Sequence, residues 1–66
     1  MKKIMDHAAY SRKAKKMSDS ELRFVIKDCH EVLAAWPGHE NENYYMDEIC
    51  YCSDELRRRG LIEKVR

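Results

Sequence analysis

The feature that most constrains this chain is a helix breaker, Pro37-Gly38, between two segments with helical periodicity. Proline disfavours the α conformation in the residue before it, here Trp36, and a Pro-Gly pair is a strong turn signal. The 66 residues contain no other proline and only one other glycine, so few residues are available for the many turns of an all-β fold. The chain is therefore predicted to be all-α, with a turn near its middle.

A clear helix start precedes this turn. Ser18 and Glu21 have the spacing of a capping box, in which each side chain accepts a hydrogen bond from the main chain of the other. Met17 and Leu22 stand where a hydrophobic staple would form. Apolar residues then recur at three- and four-residue spacing, which predicts one amphipathic helix. This first stripe consists of Leu22, Val25, Ile26, Cys29, Val32, Leu33 and Trp36.

The second helix has signals at both ends. Asn41 or Asn43 can cap its start. Gly60 is suited to the left-handed residue after its end, with Leu56 and Leu61 supplying the apolar contact of a Schellman motif. Its stripe is Tyr45, Ile49, Cys52 and Leu56, flanked by Met46. The i,i+4 spacing predicts two ion pairs on its surface, namely Asp54–Arg58 and Glu55–Arg59.

These signals predict an antiparallel helical hairpin of two helices at about 18–36 and 42–59. The basic N-terminal segment, residues 1–17, is predicted to be a short helix or partly disordered, and residues 18–66 form the hairpin domain. Two stripes alone bury little surface, so the core needs a further partner. That partner is the N-terminal segment or a second hairpin, which would give a dimeric four-helix bundle. Ile62 and Val65 are expected to fold back onto the hairpin.

The net charge of +1 conceals three blocks of opposite sign. Residues 1–17 carry +5, residues 18–55 carry −8 and residues 56–66 carry +4. In an antiparallel hairpin the first and last blocks meet at one pole. Such a basic pole could contact phosphates. Its candidate nucleic-acid-binding residues are Lys13, Lys15, Lys16, Arg57, Arg58 and Arg59, against the plain alternative of a solubilising tail and ordinary helix-end arginines.

The opposite pole is acidic and carries aromatic and methionine side chains, a combination enriched in the cores of protein interfaces. The candidate protein-binding residues there are Tyr44, Asp47, Glu48 and Tyr51. The alternative for the neighbouring Trp36 and Tyr45 is that they close the core beside the turn. The acids Asp47, Glu48, Asp54 and Glu55 are expected to form a solvated helix face.

No metal, cofactor or catalytic site is expected. Cys50 and Cys52 point about 200° apart on a helix, and no CxxC or HExxH spacing occurs. Cys29 and His30 are neighbours in sequence, which places their side chains about 100° apart. Three cysteines without a secretory signal favour reduced thiols in the cytoplasm. No run approaches the roughly 20 apolar residues of a membrane span.

The segment from Ser18 to Arg59 resembles small bacteriophage and prophage open reading frames, in its WPG turn and in NYYMDEICYCSDELRRRG. The resemblance covers about two thirds of the chain and transfers no site residues. It implies a phage-derived protein of the bacterial host cytoplasm, where many small proteins bind and modulate a host factor. In architecture the chain is also similar to plasmid Rop hairpins, which dimerise and bind RNA, although the basic tail departs from them.

Three functions follow as hypotheses. The leading one is a non-enzymatic phage-type interaction protein that binds a host protein. The second is a small nucleic-acid-binding protein that uses the basic pole. The third is a structural or assembly subunit, and a homodimer is compatible with all three.

Overall fold

The computed structural model describes residues 4–61, which form three α-helices and no strand. The helices are α1 (His7–Lys16), α2 (Asp19–Ala35) and α3 (Glu42–Arg58). The all-α prediction is thus confirmed. The N-terminal segment, for which a short helix and partial disorder were both open, contains α1. Ile62 and Val65, predicted to fold back onto the hairpin, lie outside the described residues.

Local hydrogen bonds fix the starts of the first two helices. The predicted capping box is present, since the Ser18 N–H donates to Glu21 Oε1 at 2.8 Å and the Glu21 N–H donates to Ser18 Oγ at 3.1 Å. Asp6 caps α1 by accepting from the Ala9 N–H at 3.0 Å. Each of these bonds gives an acceptor to a backbone N–H group at the start of a helix, where no helical carbonyl is available to accept from it.

The turn at Pro37-Gly38 is present, but Trp36 does not join the core. Helix α2 ends at Ala35, Trp36 is its C-cap with φ −131° and ψ 73°, and Gly38 has φ 80°. The Trp36 side chain is 63% exposed, and its ring centroid lies 6.4 Å from that of His39. The prediction that Trp36 completes the buried stripe is wrong, because the backbone has left the helix at this residue and turned its side chain away.

The start of α3 differs from the prediction of an asparagine side-chain cap. Asn41 occupies the N-cap position, but its side chain makes no capping hydrogen bond. Instead, the Asn41 N–H donates to His39 Nδ1 at 3.0 Å, and the Gly38 N–H donates to the Glu42 carboxylate at 3.2 Å. The loop is therefore held by His39 and Glu42.

The end of α3 has the predicted Schellman geometry. The Leu61 N–H donates to the Leu56 carbonyl and the Gly60 N–H donates to the Arg57 carbonyl, both at 2.9 Å. Gly60 has φ 77°, a conformation that costs an L side chain energy but suits glycine. The stop after Arg59 is therefore encoded by the glycine itself.

All three helices contribute to one small apolar core. Its buried members are Tyr10 and Ala14 of α1, Leu22 of α2, and Cys52 and Leu56 of α3. Helices α2 and α3 form the largest interface, and α1 packs chiefly against α3. Helices α2 and α3 run antiparallel, because Arg59, just after the end of α3, reaches Asp19 at the start of α2. The division into residues 1–17 and 18–66, and the dimeric four-helix bundle, stay predictions.

Candidate protein-binding surface

Helix α1 covers one side of α3, and Tyr51 lies at the centre of that contact. The Tyr51 hydroxyl is 2.8 Å from His7 Nδ1, and its ring centroid is 5.8 Å from those of both His7 and Tyr10. Tyr51 is half-buried and packs against the core. Tyr51, a candidate protein-binding residue, is therefore not freely exposed, because α1 lies over it.

Glu48 also faces α1, and its carboxylate accepts two hydrogen bonds. The Tyr10 hydroxyl donates to Glu48 Oε2 at 2.7 Å, and the Cys29 thiol donates to Oε1 at 3.7 Å. Burial, together with the Glu48 carboxylate, raises the pKa of Cys29 to about 12 and raises the pKa of Tyr10. Burial likewise raises the pKa of Cys52, whose Sγ is 3.9 Å from the Tyr10 hydroxyl. Both thiols are therefore protonated at neutral pH.

The remaining candidate residues of the acidic pole are half-buried. Tyr44 packs edge-on against Tyr45 with ring centroids 6.1 Å apart, and it lines a depression of about 250 Å³ beside Ile4 and Met5. Asp47 is half-buried as well. The four candidate protein-binding residues thus do not form one free surface, because Tyr51 and Glu48 contact α1.

Arg59, predicted as part of a basic pole, holds the three helices together. Its guanidinium donates to Asp19 at 2.6 Å and to Glu55 at 2.8 Å. It also donates to three carbonyls at the end of α1, at distances between 2.8 and 3.4 Å. These carbonyls belong to Ala14, Lys15 and Met17. Arg59 therefore satisfies the exposed acceptors at the C-terminus of α1 and joins them to α2 and α3.

Glu55 is the buried acid of this end of the molecule. It is 5% exposed and accepts hydrogen bonds from both Arg58 and Arg59. Hydrogen bonds from those two arginines lower its pKa to about 2. The expectation of a solvated acidic face is thus wrong for Glu55 and Glu48, although the predicted Glu55–Arg59 pair is confirmed. The predicted Asp54–Arg58 pair is wrong, because Asp54 pairs with Arg57 at 2.7 Å.

The lysines of the predicted basic pole are exposed on α1. Lys13 Nζ lies 5.3 Å from the centroid of the Tyr10 ring. No acidic side chain among residues 4–61 lies within ion-pair distance of Lys15 or Lys16. Each of the three arginines, in contrast, is paired with an acid. Most of the unneutralised positive charge of this pole is therefore on α1.

A shallow apolar groove lies between α2 and α3 where α1 does not reach. It measures about 280 Å³ and is lined only by residues of those two helices. Met46 is 50% exposed, Cys50 is exposed, and Leu33 and Ile49 are half-buried. We call this the α2–α3 groove, and its lining is His30, Leu33, Glu42, Met46, Ile49 and Cys50.

Sequence reasoning identified the apolar residues of this groove but not the groove itself. Leu33 and Ile49 were assigned to the two stripes, and Met46 to the flank of the second. The signal in the sequence that could have indicated the groove was the width of the two apolar stripes. The stripes are wider than the surface that two facing helices cover on each other. Cys50 is exposed and Cys52 is buried, which agrees with the prediction that the two thiols point in different directions.

A second opening lies between α1 and α2, and no pattern in the sequence was taken to indicate it. It measures about 490 Å³, is lined by Lys13, Met17, Ser20, Glu21, Phe24 and Val25, and has Phe24 exposed at 68% on its rim. Phe24 lies on the side of α2 away from its apolar stripe, so the helical periodicity of the sequence did not indicate a role for it. Its lining combines charged and apolar groups, and a larger share of its surface is polar than in the α2–α3 groove.

Residues 4–61 contain neither a cluster suited to a metal ion nor a helix suited to crossing a membrane. No cluster of three or more His, Cys, Asp or Glu side chains there is arranged to hold a metal ion. None of the three described helices has the length and apolar character that crossing a membrane requires.

Comparison of the chain with protein-family models, with curated proteins and with solved structures finds no significant match.

Proposed function

We propose that this chain is a non-enzymatic interaction protein of phage type that binds and modulates a host protein, with the α2–α3 groove as the docking surface. The single observation that supports this is the apolar, uncovered character of the groove. Met46 stands half-exposed there between half-buried Leu33 and Ile49. Apolar clusters with methionine are enriched at protein interfaces and adapt to irregular partners.

The setting of this function is proposed from the resemblance and from the thiols. Resemblance to phage and prophage reading frames favours a bacterial cytoplasm. All three cysteines are free, which is typical of a reducing compartment. The buried pair of thiols has raised pKa values, so neither has the activated thiolate that a catalytic cysteine needs.

The test is affinity capture with the full chain as bait in a bacterial lysate treated with nuclease. One stoichiometric polypeptide is expected on the native chain and on Phe24→Ser, the matched control with an exposed apolar residue on another face. Met46→Glu, which places a charge in the groove, should lose that polypeptide. Circular dichroism confirms that both variants keep their helices. Capture that fails for the native chain, or that is equally strong with Met46→Glu, overturns the proposal.

Nucleic-acid binding is the second candidate, and the unpaired lysines of α1 favour it. If Lys15 and Lys16 contact phosphates along with two neighbouring cations, affinity should fall about a hundredfold between about 50 and about 200 mM salt. Fluorescence anisotropy with labelled duplex DNA and single-stranded RNA measures this. The double variant Lys15→Gln, Lys16→Gln should flatten the salt dependence, while Lys27→Gln, on α2, should leave it unchanged. Affinity that is independent of salt contradicts this candidate.

A further inference from the structure

Two depressions adjoin each other between α1 and α2. The opening of about 490 Å³ described above shares Lys13, Met17 and Glu21 with a neighbour of about 440 Å³. This neighbour extends the surface along α1 to Arg12 and Lys16. We call the combined surface the α1–α2 cleft.

The floor of the α1–α2 cleft belongs to the packed part of the molecule. Met17 and Val25 line the cleft, are half-buried and pack against the core. Only Met17 and Ser18 separate α1 from α2 in the sequence, so the end of one helix and the start of the next meet at one corner. The exposed residues of the rim therefore stand on a packed base, which keeps them in a defined arrangement.

The rim of the cleft carries a net positive charge. Arg12, Lys13 and Lys16 are all exposed there, and the acid of the lining is Glu21. Glu21 keeps its negative charge while its carboxylate accepts from the Ser18 N–H, so three cations and one acid leave a net charge of +2. Within residues 4–61, no acidic side chain lies within ion-pair distance of any of the three cations. An anionic ligand is therefore the complementary one.

Two further acids stand beyond the lining, toward its two ends. Asp6 is the N-cap of α1, where it accepts from the Ala9 N–H, and it precedes Arg12 by about 9 Å along the helix axis. Asp28 lies one turn beyond Phe24 on α2. The positive charge is therefore concentrated in the middle of the cleft, along the second half of α1.

The three cations lie on one side of α1. At about 100° per residue, Arg12, Lys13 and Lys16 fall within an arc of about 100°, and Arg12 is separated from Lys16 by about 6 Å along the axis. Lys15 faces a different way, since it lines a separate depression with Tyr51 between α1 and α3. A ligand with a negative charge at every repeat can therefore meet successive cations on this side of α1.

Phe24 stands on the α2 wall of the cleft and is unusually open. Its side chain is 68% exposed, and no aromatic ring among residues 4–61 is stacked on it. Lys13 lines the same opening. An exposed aromatic ring beside a row of cations combines the two features by which proteins hold single strands, namely a cationic track for the backbone and a ring on which a base stacks.

We propose that the α1–α2 cleft binds single-stranded nucleic acid, with phosphates along Arg12, Lys13 and Lys16 and a base stacked on Phe24. An apolar cavity of about 150 Å³ holds a benzene-sized group, so the opening of about 490 Å³ beside Phe24 has room for a nucleobase. A duplex fits less well, because its bases are stacked on one another and offer no free face to the ring. This inference is separate from the α2–α3 groove. It rests on the second candidate function, and it specifies the form of nucleic acid and the residues that bind it.

Two other anionic partners fit the cleft less well. A helix that lies on an anionic membrane buries an apolar face along its length, whereas the exposed residues of α1 in this cleft are cations. An acidic protein segment supplies negative charge, but it offers a flat ring to Phe24 only in particular sequences. A nucleotide chain supplies both a charge and a ring at every repeat.

Fluorescence anisotropy with short labelled strands tests the role of Phe24. The probes are oligothymidylate and oligouridylate of about ten nucleotides, and the comparator is an abasic strand with the same number of phosphates. At least one probe should bind about tenfold tighter than the abasic strand, because it supplies bases for stacking, and the tighter probe identifies DNA or RNA as the preferred source. Phe24→Ser should remove the difference, and Phe24→Tyr, which keeps a ring, should retain it. Circular dichroism confirms that both variants keep their helices.

Charge removal tests the track along α1. The double variant Arg12→Gln, Lys16→Gln should reduce the slope of log affinity against log salt by about 1.4. Lys15→Gln, the matched control on the other flank of α1, should leave the slope unchanged. Nitrogen–proton correlation spectra should place the amides perturbed by the strand at Lys13, Ser20 and Phe24.

The remaining outcomes separate this inference from the functions proposed above. Equal binding of the probes and the abasic strand, no effect of Phe24→Ser, or a preference for duplex DNA overturns the inference and leaves the second candidate function in place. Absence of binding to every strand overturns both. If vesicles of phosphatidylcholine and phosphatidylserine, or poly-glutamate, bind as tightly as the probes, the ligand is a membrane or an acidic protein and the inference is overturned. Capture of a host protein through Met46 tests the leading function and does not depend on any of these results.

Discussion

The two sides of α3 differ both in their residue types and in what covers them within residues 4–61. On one side, Tyr51 and Glu48 are hydrogen-bonded to residues of α1. On the other, Met46 and Cys50 remain exposed beside half-buried Ile49. The covered side combines apolar packing with specific polar contacts, whereas the open side is almost wholly apolar. Within residues 4–61, the first side of α3 is therefore covered by α1, whereas the second side is left uncovered.

The largest contrast between the sides should appear on truncating an apolar side chain. Leu56→Ala removes a side chain that is buried where all three helices meet, and it should cost about 3 kcal/mol of unfolding free energy. In a domain this small, that is most of the stability available. Met46→Ala, in the open groove, should cost less than about 0.5 kcal/mol. Urea unfolding followed by circular dichroism measures both values.

Equal losses from Leu56→Ala and Met46→Ala would contradict the comparison, since they would mean that the groove is as well packed as the core. A change in the slope of the urea transition would instead report an altered unfolded state.

Two helix-end signals that are confined to a few consecutive residues could be predicted from the sequence. Ser18 and Glu21 form their capping box because the interaction depends only on spacing. Gly60 ends α3 for the same reason, since its left-handed conformation and the two Schellman bonds involve six adjacent residues. The all-α class followed from these ends together with the two stripes.

What the sequence could not provide was the side on which α1 docks. Helical periodicity places Glu48 and Tyr51 beside the stripe of α3, where solvent is the default neighbour, and α1 occupies that place instead. The role of Arg59 has the same origin, because the carbonyls it binds belong to the end of α1. The α2–α3 groove lies on the side of α3 that α1 does not cover. Its location could therefore not be predicted without knowing where α1 docks.

Acid should weaken the covered side through Glu55. Hydrogen bonds from Arg58 and Arg59 lower the pKa of this carboxyl from its ordinary 4.5 to about 2. A lowered pKa stabilises the fold above the unfolded value and loses that contribution as the pH falls through the folded value. The melting temperature should therefore drop between about pH 4.5 and about pH 2.

Glu55→Gln is the variant that isolates this contribution. It should melt at a lower temperature than the native chain at about pH 7 and should show a smaller further drop in acid. Asp54→Asn is the matched control, because Asp54 is exposed in its pair with Arg57. An acid-induced drop of the same size in Glu55→Gln and in the native chain would show that another carboxyl is responsible.

A smaller effect is expected from removing a single hydroxyl on the covered side. Tyr10→Phe deletes the donor to Glu48 and leaves a half-buried carboxylate oxygen without it, which should cost about 1.5 kcal/mol. Tyr51→Phe deletes a contact with His7 that is open to solvent, and about 0.5 kcal/mol is expected. Urea unfolding of the two variants checks the order. The reverse order would mean that His7 and Tyr51, rather than Tyr10 and Glu48, fasten α1.

The least perturbing experiment compares the thiols of the two sides without altering the fold. Thiolates are the reactive species, and burial raises the pKa of Cys29 to about 12 and also raises that of Cys52. At about pH 8, iodoacetamide should therefore label the native chain once, at Cys50. Mass spectrometry of the intact chain counts the labels, and peptide mapping locates them.

Cys50→Ser is the control for this labelling and should change the unfolding free energy by less than about 0.5 kcal/mol. It should take no label until urea unfolds it, after which both remaining thiols react. Labelling of Cys52 in the native chain would have a definite meaning, because Cys52 lies beneath Tyr10. Its reaction would require α1 to leave α3 at a low free energy. The covered side would then be only transiently covered, and the distinction between the two sides of α3 would be one of degree.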